Sequence, residues 1–335
     1  MSLPKAHNLK KYKEIFRWLI ALVCILYLVI FFYKNQDSLQ IAFKLDYKII
    51  FYVIILQFIA HLLTNIRFQL IIQKCTSVKL KFFYWMKLYF LGRFLNLVFP
   101  QSGNLYRSVK LKKDFGISYT NYISSFTSFA WMDTFIDFFI AFIVIIITNP
   151  AYKLGPFYAS AVLIVLGLTI LTIPILTELI FRKLKFKNKK INWLHSKLHE
   201  VLVVLIRNLK DPVFMAKITF LGLAIFIRTS LAFYIYFSIF DINITLPAIV
   251  LFTSLYKLTT FIVITPANIG IQEVAYGFLS EQTQIGMASG VIVSATVRVI
   301  SNIFIIIIGL TLGGFDLVKK RKEFAENTRN EKSKE

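Results

Sequence analysis

The stretch Tyr119–Thr148 is mostly apolar and carries no charge except Asp133 and Asp137. A run of that length is more than enough to cross the hydrocarbon core of a bilayer as a helix. There the backbone persists only as a helix or a closed barrel, because no water satisfies its N–H and C=O groups. Similar runs recur at Ile15–Tyr33, Ile49–Ile72, Phe157–Ile180, Phe214–Phe240 and Gly286–Phe315. With 57% hydrophobic residues and a mean hydropathy of +0.67, the apolar content exceeds what a soluble core needs. These runs predict an all-α, polytopic integral membrane protein.

Charge sets the expected topology. Lys and Arg number 39 against 17 Asp and Glu, a net +22. In a soluble chain that balance would point to nucleic acid; among apolar spans it points to anionic lipid and the negative cytoplasmic surface. An AT-rich coding bias toward lysine is a blander account of part of the excess. The positive-inside rule then puts both termini and the basic loops around Lys79 and Arg182–Lys190 in the cytoplasm. Two apolar runs do not fit as crossings, because counting them reverses the sign of every later loop. The first covers about 82–107 and the second about 246–280. Both are expected to be re-entrant, the first from the cytoplasmic side and the second from outside. The expected organisation is a basic cytoplasmic segment 1–14 and a single membrane domain 15–315 with six crossings. Within it, 182–210 forms a basic loop and an interfacial helix, and a polar tail 316–335 follows.

Each re-entrant run contains a backbone break. The first reads Gly92 to Arg107 through Pro100 and Gly103, and the second passes Pro266 and Gly270. Proline removes a helix hydrogen bond and glycine loosens the chain. In lipid such breaks survive only where protein or a wet cavity covers them. Ionisable residues at depth are functional candidates by default. The cations are Arg67, Arg93, Arg228, Lys257 and Arg298, with Lys87 and Arg107 nearer an edge; the acids are Asp133, Asp137 and Glu273. Lys87, Arg67 and Lys257 lie near span ends, where snorkelling is the simpler account. Arg93 and Arg298 lie well inside apolar sequence. Asp133 and Asp137 share a helix face and suit either a proton relay or ion pairs with Arg93 or Arg298. Cations exceed acids, so an anionic head group is a fitting counter-charge. His195 and His199 are four apart without the glutamate of a zinc hydrolase helix, which favours a solvated face. Cys24 and Cys75 predict no disulfide. Neither a metal nor a cofactor is implied.

The order of motifs resembles the flippase-like transmembrane domain of the lysylphosphatidylglycerol synthase family, over about Ile15–Phe315. Gly92, Asn96, Pro100, Gly103 and Arg107 match its first broken run. Asp133 and Asp137 match its acidic pair, although Thr134 stands where an arginine is usual. Pro266, Gly270 and Glu273 match its second break, with Gln272 in place of a basic residue and Asn268 where glycine is common. Arg67 and Arg298 also fall at family-like positions. The resemblance implies a stand-alone, non-enzymatic member that moves an anionic phospholipid or lipid-linked saccharide between leaflets. Arg93, Asn96, Arg107, Arg298 and Arg67 would bind the head group. Two other readings are a membrane glycosyltransferase using a polyprenyl-phosphate donor and a non-transporting partner of a lipid or polysaccharide synthase. The expected location is a bacterial or archaeal cytoplasmic membrane.

Overall fold

The computed structural model describes residues 47–98, 101–183, 210–260 and 270–313, with isolated positions between 192 and 206. The expected first span, both termini, Pro100, Pro266 and most of the expected interfacial helix lie outside the described residues. The elements are α1 (Tyr47–Thr76), α2 (Phe82–Val98), α3 (Ser102–Phe115), α4 (Tyr119–Thr148), α5 (Ala159–Lys183), α6 (Pro212–Ser238), α7 (Leu246–Thr260), α8 (Ile271–Gln282) and α9 (Met287–Thr311). Between α4 and α5 lies a two-residue antiparallel ladder of β1 (Lys153–Leu154) and β2 (Phe157–Tyr158). The described residues are otherwise mostly helical, consistent with an all-α polytopic membrane protein.

Five helices, α1, α4, α5, α6 and α9, are long and apolar enough to cross a bilayer. They correspond to five of the expected crossings. The α5 helix continues through Pro174, so proline alone does not decide where these helices stop. The other four helices are shorter. At 1.5 Å per residue, α2 is about 25 Å long, α3 about 21 Å, α7 about 22 Å and α8 about 18 Å, all below the roughly 30 Å of a hydrocarbon core.

Side-chain contacts identify the two ends of the bundle. Tyr84 on α2 donates to Asp114 on α3 at 2.5 Å, and Ser102 donates to the Leu95 carbonyl at 2.7 Å. The helices α2 and α3 are therefore antiparallel, and they begin and end together. The helix α3 continues past Arg107 to Phe115 and stops at Gly116, whose φ of 69° suits a left-handed C-cap. At the same end Lys74 of α1 pairs with Asp211 at 2.5 Å, and Asp211 caps α6 through the Phe214 N–H at 3.0 Å. The Lys74 hydrogen bond, then the Phe214 N–H, hold the Asp211 carboxyl below its ordinary range. A lowered value means that this contribution is present above the ordinary carboxylate pKa and is lost as pH falls through the lowered one. Both groups are solvated, so the effect is small.

At the opposite end, Tyr152 in the α4–α5 connection donates to the Thr283 carbonyl just past α8, at 2.6 Å. A cavity of about 420 Å³ there is lined by Asn149, Tyr152, Asn243, Thr245, Gln284 and Ile285, among others. The start of α7 and the end of α8 thus share that end. The α2–α3 pair opens from one end of the bundle and the α7–α8 pair from the other.

The largest core cluster among the described residues includes side chains of α4, α6, α7 and α8, the last three joined by edge-to-face aromatics. Phe233 meets Phe252 at 5.0 Å and 87°, and Phe252 meets Tyr276 at 5.5 Å and 84°. Elsewhere backbones approach closely through small residues, the usual way helices pack without a hydrophobic driving force. A Cβ on Gly103 would lie 1.8 Å from the Gly92 carbonyl oxygen, and one on Gly290 would lie 2.4 Å from that of Tyr276. Gly103→Ala is expected to destabilise the fold by about 1–3 kcal/mol, because backbone cannot yield as a side chain would. Thermal unfolding in detergent checks this against Gly167→Ala, which has open space around it and should melt as the parent does.

Candidate functional site

Four charged side chains from three helices meet inside the bundle. Asp133 and Asp137, one turn apart near the middle of the 30-residue α4, face the same way. Arg67 from α1 donates Nη1 to Asp133 Oδ1. Lys257 from α7 lies between the acids, its Nζ 2.5 Å from Asp133 Oδ2 and 2.5 Å from Asp137 Oδ2. Arg67 is fully buried, and its guanidinium also sits 5.7 Å from the Phe129 ring centre. Gly222 of α6 makes room for it: a Cβ there would stand 3.3 Å from Arg67 Nη2. Two positive and two negative groups close this cluster without net charge. Arg67 and Lys257 are therefore not snorkelling cations. Their pairing with the acids also corrects the expectation that Arg93 or Arg298 would do so.

Arg298 of α9 pairs instead with Glu273 at the start of α8, Nε to Oε1 at 2.7 Å. The second oxygen of Glu273 accepts the Gly270 N–H at 2.7 Å, reaching back over the first turn of the helix. Arg298 Nη2 also lies 3.3 Å from Gln272 Oε1, to which it donates. Gly270 has φ of 83°, a conformation that favours glycine. One carboxylate thus serves both the helix start and the arginine.

At the first break Asn96 has the corresponding position. Its Oδ1 accepts the Gly103 N–H at 2.7 Å, while Gln101 adopts φ of 63°. Asn96 thus satisfies a backbone donor freed by the break. Arg107 is buried and donates to Asn104 Oδ1 at 2.7 Å and to the Gly103 carbonyl at 3.3 Å. Its guanidinium lies 5.9 Å from the Phe68 ring centre and 5.8 Å from that of Tyr89, close enough for cation–π attraction.

The sequence-predicted residues therefore separate. Arg67 and Arg298 are held by carboxylates, and Asn96 is held by the backbone. Arg93, exposed on α2, and Arg107 form no ion pair among the described residues. The same is true of Arg228 on α6, which sequence reasoning counted as a cation without placing it in the site. Lys257 was missed as a partner of the acids because a lysine at a helix end ordinarily marks the interface. Among the described residues no group of three or more His, Cys, Asp or Glu side chains could hold a metal ion.

Crossing helices, two shorter helix pairs opening from opposite ends and an ion-paired interior define a polytopic membrane protein with a polar centre. The chain belongs to the family described as the lysylphosphatidylglycerol synthase TM region, which matches residues 18–309. Neither the curated protein sequences nor the solved structures gave a match. Membership gives the chain a membrane, lipid-related role, and it concerns the membrane region of such synthases rather than their catalytic part.

Asp133 takes both cations, so its removal is the severest test of the cluster. Asp133→Asn leaves Arg67 and Lys257 facing a single carboxylate and should cost about 3–5 kcal/mol, the usual result of breaking a buried pair. A fall in the melting temperature of the purified protein measures this.

Proposed function

We propose that this protein carries a lipid with an anionic head group, a phospholipid or a lipid-linked saccharide, between the leaflets, without covalent chemistry of its own. The observation that supports the reading is the pair of short helix hairpins. Their described helices are each shorter than the hydrocarbon core, they open from opposite ends, and each has an arginine bonded at its break. Opposed broken segments meeting inside the membrane are a recurring plan for alternating access. A charged head group in hydrocarbon faces a large desolvation penalty, and buried cations lower it while the acyl chains stay in lipid.

In this reading the membrane domain spans 15–315, both hairpins are re-entrant, and the end bearing Lys74, Lys79, Lys81, Lys110, Lys112 and Lys113 is cytoplasmic. Lys48 and Lys153 belong to the other end. Single cysteines placed at Lys79, Lys113 and Lys153 in a Cys24→Ser, Cys75→Ser background test this. Positions 79 and 113 should label from the same side of the membrane and 153 from the other. Opposite labelling of 79 and 113 would make α2–α3 a crossing.

Transport is tested in liposomes holding the full chain and fluorescent phosphatidylglycerol, with a membrane-impermeant quencher outside. The expected result is lipid exchange well above that of protein-free vesicles. Arg93→Gln should slow it by roughly tenfold, the worth of a charge-assisted hydrogen bond, without changing the melting temperature. Exchange equal to that of empty vesicles, with folded protein, sinks the proposal.

A further inference from the structure

Arg228 on α6, half-buried, has aromatic neighbours where a cation inside a helix bundle ordinarily has an acid. Its guanidinium is within electrostatic reach of Tyr89, Tyr236 and Tyr256, and it forms no ion pair among the described residues. Its Nε is buried without a hydrogen-bond partner. Both Arg228 and Arg93 lie within electrostatic reach of His61 on α1. The helix α1 packs against both α2 and α6, which brings arginines from those two helices toward the same imidazole. His61 is 7% exposed. Its ring stacks on Phe304 at 5.5 Å, its Nδ1 is 3.2 Å from the Tyr89 hydroxyl, and its Nε2 has no partner.

Buried charge without a counter-charge is costly. Two guanidinium groups, together with the one N–H or O–H that the hydrogen-bonded His61–Tyr89 pair leaves free, supply donors from several directions. A carboxylate offers two oxygens in one plane, whereas a phosphate group offers a tetrahedral set that suits forked guanidinium donors. We infer that Arg228, Arg93, His61 and Tyr89 form a binding site for a phosphate group, with Arg107 as the next cation out. The site excludes Arg67 and Arg298, whose carboxylate partners already neutralise them. This inference rests on the lipid-carrying reading and names the chemical group and the residues that would receive it.

The test is lipid binding by the full chain in detergent, followed by native mass spectrometry with phosphatidylglycerol, phosphatidylcholine and diacylglycerol. Inorganic phosphate serves as a competitor. Phosphatidylglycerol is expected to bind at least about tenfold more tightly than diacylglycerol, and Arg228→Gln should bring it down to the diacylglycerol level. Competition by millimolar inorganic phosphate would support a site satisfied by the free anion; displacement by phospholipid alone would support a head-group site that also needs the acyl chains. The lipid-free melting temperature of Arg228→Gln should equal or exceed the parent's, since the substitution removes an unpaired, half-buried charge. Unchanged phosphatidylglycerol affinity overturns the inference, as does an affinity loss accompanied by a lower melting temperature. Arg93→Gln, at an exposed and unpaired position, decides the matter should Arg228→Gln fail to fold: weaker phosphatidylglycerol binding supports the site, and parental binding overturns it. Parental flipping by Arg228→Gln would remove this site and leave transport standing. Phosphate-selective binding that Arg228→Gln abolishes, in a protein that does not flip lipid, would do the reverse.

Discussion

The interaction on which most of the interior depends is the acceptance of two cations by Asp133. An arginine from α1 and a lysine from α7 reach one carboxylate on α4, and Asp137 one turn away takes the remaining charge of the lysine. Each of these groups alone would be prohibitively costly in hydrocarbon. Together they form a neutral unit that no member can leave without exposing the others. The positions of three helices are thereby tied to one another at mid-depth, where apolar side chains packing against lipid-like surfaces would specify register only weakly.

A second constraint operates at the two breaks. Interrupting a helix frees backbone N–H groups that lipid cannot satisfy. The chain meets this twice with a side-chain oxygen on a glycine N–H. Asn96 does so for Gly103 from the helix before the break, and Glu273 does so for Gly270 from the helix after it. Each break is also bonded to an arginine, Arg107 through the Gly103 carbonyl and Arg298 through Glu273. The chemistry is shared although the two motifs show no evident sequence repeat.

The crossings were legible because their apolar length is dictated by bilayer thickness: Tyr119–Thr148 reads as one helix and is one. The facing of Asp133 and Asp137 was legible from their spacing. Their partners were not. Lys257 stands in the last turn of α7, which in a crossing helix would put it at the interface. But Lys257 reaches Asp133 and Asp137 near the middle of α4, so it is deep in the bundle. Arg67 looked terminal because α1 was expected to end at Ile72, whereas it runs to Thr76. In both cases the charge was visible and its depth was not, because depth follows from how the helices pack against one another. The break residues Gly103 and Gly270 were found for their backbone freedom, yet the close approach of Gly103 to Gly92 depends on tertiary packing that sequence spacing does not encode.

The helix pair α7–α8 has attachments on both legs. Lys257 fastens the first leg to α4, while Glu273 fastens the second to α9 through Arg298. Gly290 seats α9 closely against Tyr276 of α8. Any widening between α4 and α9 must then either part the lysine from its acids or pull the two legs away from each other. Mechanically the pair acts as a strut between two walls, fastened to one by Lys257 and to the other by Glu273.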